Sequence, residues 1–81
     1  MRVKIRVFAR LRDIVGTPTL VCSVPPGATI KTVWEGLVAD HPALADYERS
    51  ISCAHNAAFA RMTTPVAEGD EVAFLPPVSG G

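Results

Sequence analysis

A single strong helix pattern limits what the rest of this chain can do. Ile30, Val33, Trp34, Leu37 and Val38 recur at i, i+3, i+4, i+7 and i+8, which places all five on one stripe of an α-helix. Thr29, just before them, has a side-chain oxygen suited to an N-cap. His41-Pro42 ends the pattern, because a residue preceding proline is pushed out of the helical region. Lys31, Thr32, Glu35 and Asp40 fall on the wet side, and Gly36 weakens the helix modestly. An apolar stripe of this size must be covered by another layer. No second helix pattern of similar strength exists in the 81 residues, so the covering layer is a sheet.

The strands of that sheet are legible as alternations of period two. Val3, Ile5 and Val7 alternate with Arg2, Lys4 and Arg6, giving a first strand with one buried and one wet face. Phe8 then puts a large aromatic on the face that carried Arg6, and Leu11, Ile14 and Val15 follow at helix-like spacing before Gly16. From Thr19 to Val24 the alternation returns with Leu20, Cys22 and Val24 inward, a second strand pairing antiparallel with the first until Pro25-Pro26-Gly27 stops it. Residues 43–49 fit no single period, a short turn of helix being one option. A strand is expected over about residues 51–56, and residues 57–64 have room for another. Glu68-Gly69-Asp70 is a turn signal, and Glu71 to Leu75 forms a last strand, stopped by Pro76 and Pro77, which lack the N–H a ladder needs. The expected class is α+β: a mixed sheet of four to five strands with one main helix on one face, compatible with a β-grasp. The domain is expected to span residues 1–75 and an extended tail residues 76–81.

Composition narrows the function classes. Eight basic residues balance eight acidic ones, so no net field draws the chain to nucleic acid or to anionic lipid. No apolar run approaches the length of a membrane span and the N-terminus lacks a signal-peptide core, so the expected location is the cytoplasm. Hydrophobic residues make up 48% of the chain, more than so small a core can hide, and the excess should surface as a partner-binding patch. Cys22 and Cys53 are far apart, without a Cys-x-x-Cys pair or clustered histidines, and read as structural thiols, with no bound metal or cofactor expected. His41, beside a proline at a helix end, reads as a cap or a solvated side chain, and His55 carries no catalytic context. Asp13, Asp40, Asp46, Glu48, Glu68, Asp70 and Glu71 read first as solvated charges. No nucleophile elbow or phosphate-binding glycine loop is present. As an enzyme in isolation the chain offers little.

Its distinctive segment is Leu75-Pro76-Pro77-Val78-Ser79-Gly80-Gly81, where a strand passes directly into a tail that narrows to two glycines. The prolines favour an extended path away from the body. The glycines lack Cβ atoms, so such an end fits a channel little wider than backbone. An α-carboxylate at Gly81 could thus be delivered into another protein. On composition alone a plain flexible terminus explains the segment equally well.

The stretch from Gly69 to Gly81, GDEVAFLPPVSGG, resembles the C-terminal signature of the small subunit of molybdopterin synthase, the MoaD family of sulfur carriers. The likeness extends to the opening strand into Phe8-Ala9-Arg10-Leu11-Arg12-Asp13, to Gly16-Thr17, to the Thr29-capped helix and to Asn56. The chain departs from the family pattern mainly between Ala39 and Ala54, and His55 stands where an apolar residue is usual. The resemblance implies a β-grasp protein whose Gly81 is adenylated by an E1-like, MoeB-like adenylyltransferase and then converted to a thiocarboxylate with the help of a sulfurtransferase. The glycyl adenylate and thiocarboxylate would be transient covalent forms. Gly80 would keep the tail slim. It further implies a large, MoaE-like synthase subunit as acceptor, in a heterotetramer of two small and two large subunits, and sulfur donation to cyclic pyranopterin monophosphate to build the molybdopterin dithiolene. Phe8, Phe59 and Leu75 occupy positions resembling the family's hydrophobic partner patch, continued by Pro76, Pro77 and Val78, with Arg10 and Arg12 as rim charges. By pattern alone Phe59 and Leu75 read equally well as core.

Ordering the four residues 78–81 in a channel costs roughly 4–8 kcal/mol at about 1–2 kcal/mol each. Three apolar side chains buried on docking contribute about 1.5–3 kcal/mol apiece, which offsets it. Two other functions share the tail: a thiamine-pathway sulfur carrier, which Pro-Pro-Val-Ser before Gly-Gly disfavours, and a ubiquitin-like modifier joined to target lysines through Gly81.

Overall fold

The computed structural model describes residues 1–77. Its elements, in chain order, are β1 (Arg2–Val7), α1 (Ala9–Val15), β2 (Thr19–Ser23), α2 (Ile30–Asp40), a 3-10 helix (Pro42–Tyr47), β3 (Ser52–His55), β4 (Ala58–Ala60) and β5 (Glu71–Leu75). The ambiguous stretch after Pro42 is thus a 3-10 helix anchored by buried Leu44. The helix-like spacing after Phe8 is a true α-helix of two turns whose Leu11 enters the core, ended by Gly16 in the left-handed conformation at φ 90°.

Five strands form one mixed sheet in the order β2-β1-β5-β3-β4. β1 and β5 run parallel at the centre, while β1–β2, β3–β5 and β3–β4 are antiparallel. A parallel pair needs a long crossover, and everything from β2 to β4 supplies it. α2 packs across one face, its Thr29 N–H donating to Thr32 Oγ1 at 3.1 Å as the reach-back half of a capping box.

Beneath α2 the alternation of β1 and β5 delivers Val3, Ile5, Val7, Val72 and Phe74, each 0–1% exposed. Trp34 meets Phe74 with ring centroids 5.0 Å apart and planes tilted by 55°, a favourable aromatic geometry. Among the described residues no polar or charged side chain is buried in this layer. The two cysteines are free, Cys53 buried and Cys22 only partly so, and burial raises both thiol pKa values. Burial thus keeps both further from the thiolate form than a free cysteine.

Candidate functional site

Among the described residues no helix covers the opposite face of the sheet. Phe8 reaches that face because its backbone is still extended, φ −126° and ψ 155°, as the cap residue of α1. It therefore keeps the parity of Arg6, whose guanidinium carbon lies 5.3 Å from the Phe8 ring centroid in a cation–π contact. Only then does the chain turn, through Ala9 at φ 50°.

Phe59 arrives from the other side of the sheet. β3 and β4 are joined by the two residues Asn56 and Ala57, at φ 49° and 72°, the pair of positive φ values that a type I′ hairpin requires. A two-residue loop fixes register, and a slip of one residue would send every side chain to the other face. The register sets Phe59 opposite Ala54, on the uncovered face, where it is 85% exposed. Phe59 is thus not a core residue. Leu75, half-buried at the end of β5, completes the group. Phe8, Phe59 and Leu75 line one hollow of about 250 Å³, with Ala54, Ala57 and Ala73 keeping it open and Arg6 and Glu71 on its polar side.

Three side chains that are distant in sequence therefore converge on one hollow. Pro76, half-buried, and exposed Pro77 follow directly after Leu75. Arg10 and Arg12 lie exposed on α1 and do not line the hollow. Val78, Gly80 and Gly81 lie outside the described residues.

A polar rail that sequence reading missed borders the same hollow. Asp70 is not a freely solvated charge. Its carboxylate lies 2.6 Å from His55 Nε2 and accepts from the Ala67 N–H at 2.7 Å and from Asn56 Nδ2 at 3.2 Å. These bonds, the one to His55 foremost, hold its pKa down to about 2. Asn56 Oδ1 in turn accepts from the Glu71 N–H at 2.9 Å, and the Glu71 carboxylate reaches Arg6 at 3.8 Å. The rail ties the hairpin that carries Phe59 to the strand that carries Leu75. The available signal was the asparagine at a tight turn together with an aspartate opening a strand, both residue types that bond local backbone. Among the described residues no three His, Cys, Asp or Glu side chains converge as metal ligands, and the hollow holds no nucleophile paired with a base.

The hollow is mainly apolar and runs along β5 from Glu71 to Leu75, the last residue of that central strand. Comparison with known proteins gives it a family. The ThiS family model matches residues 5–81, nearly the whole chain. This chain belongs to the ThiS family. It is 37% identical over 82 residues to the molybdopterin synthase sulfur carrier subunit of Escherichia coli (strain K12), covering 98% of this chain and 99% of that one. It is 32% identical over 81 residues to the subunit of the same name from Arabidopsis thaliana, covering 100% and 84% respectively. The crystal structure of small archaeal modifier protein 1 from Haloferax volcanii superposes with a TM-score of 0.86 at 32% identity, each chain covered in full. The β-grasp, ubiquitin-like architecture and the resemblance to the MoaD family are therefore borne out.

Proposed function

We propose that the chain is the sulfur-carrier subunit of a molybdopterin synthase, with Gly81 as its working group. The observation that carries this reading is the family match running through residue 81, so that the likeness includes the Gly-Gly end as well as the β-grasp body. The curated relatives named as sulfur carrier subunits of that synthase support the same assignment.

The chemistry asks little of this chain's side chains. A carboxylate is a poor electrophile until one oxygen becomes part of a leaving group. Attack of the Gly81 carboxylate on the α-phosphorus of ATP, with loss of pyrophosphate, makes an acyl adenylate on an E1-like enzyme. Hydrosulfide then attacks the acyl carbon, displaces AMP and, on losing its proton, leaves a thiocarboxylate, a better nucleophile than the carboxylate. In the large synthase subunit the thiocarboxylate sulfur bonds to a carbon of cyclic pyranopterin monophosphate and displaces its oxygen substituent. Water then cleaves the acyl carbon–sulfur bond, which leaves the sulfur on the acceptor and returns the carboxylate for reloading. The body of the domain has one task throughout, to hold the complex while the tail is threaded. Phe8, Phe59 and Leu75 are placed to do it beside the point where β5 ends.

Intact mass after incubation with an activating enzyme, ATP and a sulfur source tests the proposal. The expected result is a gain equal to one oxygen replaced by one sulfur, located in the last peptide. An unchanged mass under conditions that load an Escherichia coli carrier would overturn it.

Similarity to small archaeal modifier protein 1 favours a second reading, in which Gly81 forms isopeptide bonds with lysines. The same adenylate would serve both fates. Isopeptide-linked adducts in extracts of the source cell would establish that reading, and their absence alongside a loaded thiocarboxylate would exclude it.

A further inference from the structure

A second hollow lies at the far edge of the sheet, across β1 and β5 from the hairpin that carries Phe59. A groove of about 490 Å³ runs between β2 and α2, lined by Leu20, Cys22, Val33, Gly36 and Leu37, with Asp40 at the end of the helix. Two of its features serve no purpose within the chain.

The first is a free strand edge. β2 is outermost in the sheet, with only β1 beside it. Its residues alternate between bonding β1 and facing outward. Val24 exchanges backbone bonds with Met1, and Val7 N–H donates to the Pro18 carbonyl at 3.0 Å, which fixes the parity. In the register Val3↔Cys22 and Ile5↔Leu20, the N–H and C=O groups of Thr19, Val21 and Ser23 then point away from the sheet. Thr17 Oγ1 donates to the Thr19 carbonyl at 3.1 Å, which leaves Val21 and Ser23 open among the described residues. Val21 is also 55% exposed, one of two large hydrophobic side chains so exposed among the described residues, the other being Phe59.

The second feature is Gly36. Glycine in a helix interior is destabilising relative to alanine, and here nothing demands it. A Cβ at this position would have no atom within 4 Å. What its absence does is widen the groove.

We propose that the free edge of β2 and this groove form a second docking site, one that accepts an extended segment of a partner protein with apolar residues at alternate positions and acidic residues between them. Strand addition satisfies the open backbone groups and lets alternate side chains enter an adjacent groove. The intervening side chains then project over the uncovered face of the sheet. There Arg2 and Lys4 stand on β1, in register with Ser23 and Val21, and neither has an ion-pair partner among the described residues. The added strand would lie about 10 Å from β1, two strand spacings away. Long acidic side chains reach over the short Thr19, Val21 and Ser23 to meet that basic row. A second copy of this chain is a poorer occupant, since edge-to-edge pairing of two β2 strands brings two basic rows towards each other. Occupancy leaves the Phe8–Phe59–Leu75 hollow open, so both partners fit at once.

The test titrates the isotope-labelled full chain with an acetylated Asp-Val-Glu-Leu-Asp-Val-Glu peptide, and separately with its counterpart carrying lysine at every acidic position. Amide shifts are expected along β2 and around Gly36, together with slower alkylation of Cys22. At low salt the acidic peptide should bind at least about tenfold more tightly than the basic one. Gly36→Leu, which fills the groove, and Val21→Pro, which removes an outward N–H without taking a bond from β1, should each weaken binding by about tenfold or more. Unfolding curves establish that each variant is folded, and either one alone suffices. The proposal falls if the acidic peptide leaves β2 unmoved or shifts only the Phe8–Phe59–Leu75 hollow. It falls equally if both peptides bind alike, or if a folded Gly36→Leu binds as tightly as the parent. Shifts along β2 that grow with protein concentration and without peptide would assign the edge to self-association and overturn it.

Discussion

Under α2 the sheet presents Val3, Ile5, Val7, Cys53, Val72 and Phe74, all buried. On its other face the same strands, with β4, present Arg2, Lys4, Arg6, Ala54, Phe59, Glu71, Ala73 and Leu75. The two sets differ by one step along each strand, yet one is uniformly apolar and close-packed while the other mixes a basic row with an apolar hollow. The covered face is constrained by volume and polarity, since a lost methylene leaves a cavity there. On the proposed function, the uncovered face is constrained instead by the partner that docks on it. An aromatic ring 85% exposed contributes little to folding and is best explained by a partner.

The division of labour can be broken most completely at the tail. Deleting Gly81, or replacing it with a bulky residue, should abolish sulfur loading measured by intact mass while the unfolding curve stays unchanged. Loading that survives the deletion would remove the carrier reading altogether. On the covered face Phe74→Ala should cost about 3–5 kcal/mol of unfolding free energy, a large part of what so small a domain possesses. A loss below about 1 kcal/mol would show that Trp34 repacks across the gap.

The uncovered face should behave in the opposite way. Phe59→Ala and Phe8→Ala should each weaken binding of the large synthase subunit by roughly thirtyfold, about 2 kcal/mol. Stability of the free domain should stay within about 0.5 kcal/mol for Phe59→Ala, as for an ordinary surface substitution. Intact affinity in either variant would move the docking surface elsewhere.

Acid offers a smaller and sharper test. Folding lowers the Asp70 pKa from its ordinary 3.8 to about 2, so the unfolded chain binds more protons across that window. The stabilisation is present in full above an unfolded carboxylate's titration and disappears as pH falls through about 2. Asp70→Asn should therefore flatten that limb of the stability profile, read from denaturant midpoints at successive pH values. An unaltered acid limb would remove Asp70 from the rail. The smallest effect belongs to the groove: Gly36→Ala should raise stability by about 0.5–1 kcal/mol.

How much of this was readable in advance followed the range of the interactions involved. α2 was legible because five apolar residues lie within nine positions, and β5 because an alternation is framed by Gly69-Asp70 and Pro76-Pro77. The 3-10 helix after Pro42 was not, since its one buried anchor, Leu44, sets no period. Phe8 could be placed on the outer face by parity with Arg6, but parity alone left Phe59 and Leu75 divided between core and patch.

By itself the sequence determined β1, β2, α2 and β5, the apolar face of β1, β2 and α2, and the resemblance of the Gly-Gly segment to that of a carrier family. Those properties are local, set by spacings of a few residues and by proline and glycine backbones. The tertiary structure decided the rest: the parallel pairing of β1 with β5, the convergence of Phe8, Phe59 and Leu75, the clasp of Asp70 by His55, and the open edge of β2. Each of these joins or separates residues according to strand order. Strand order is chosen by the packing of the whole core under α2, and no local period encodes it.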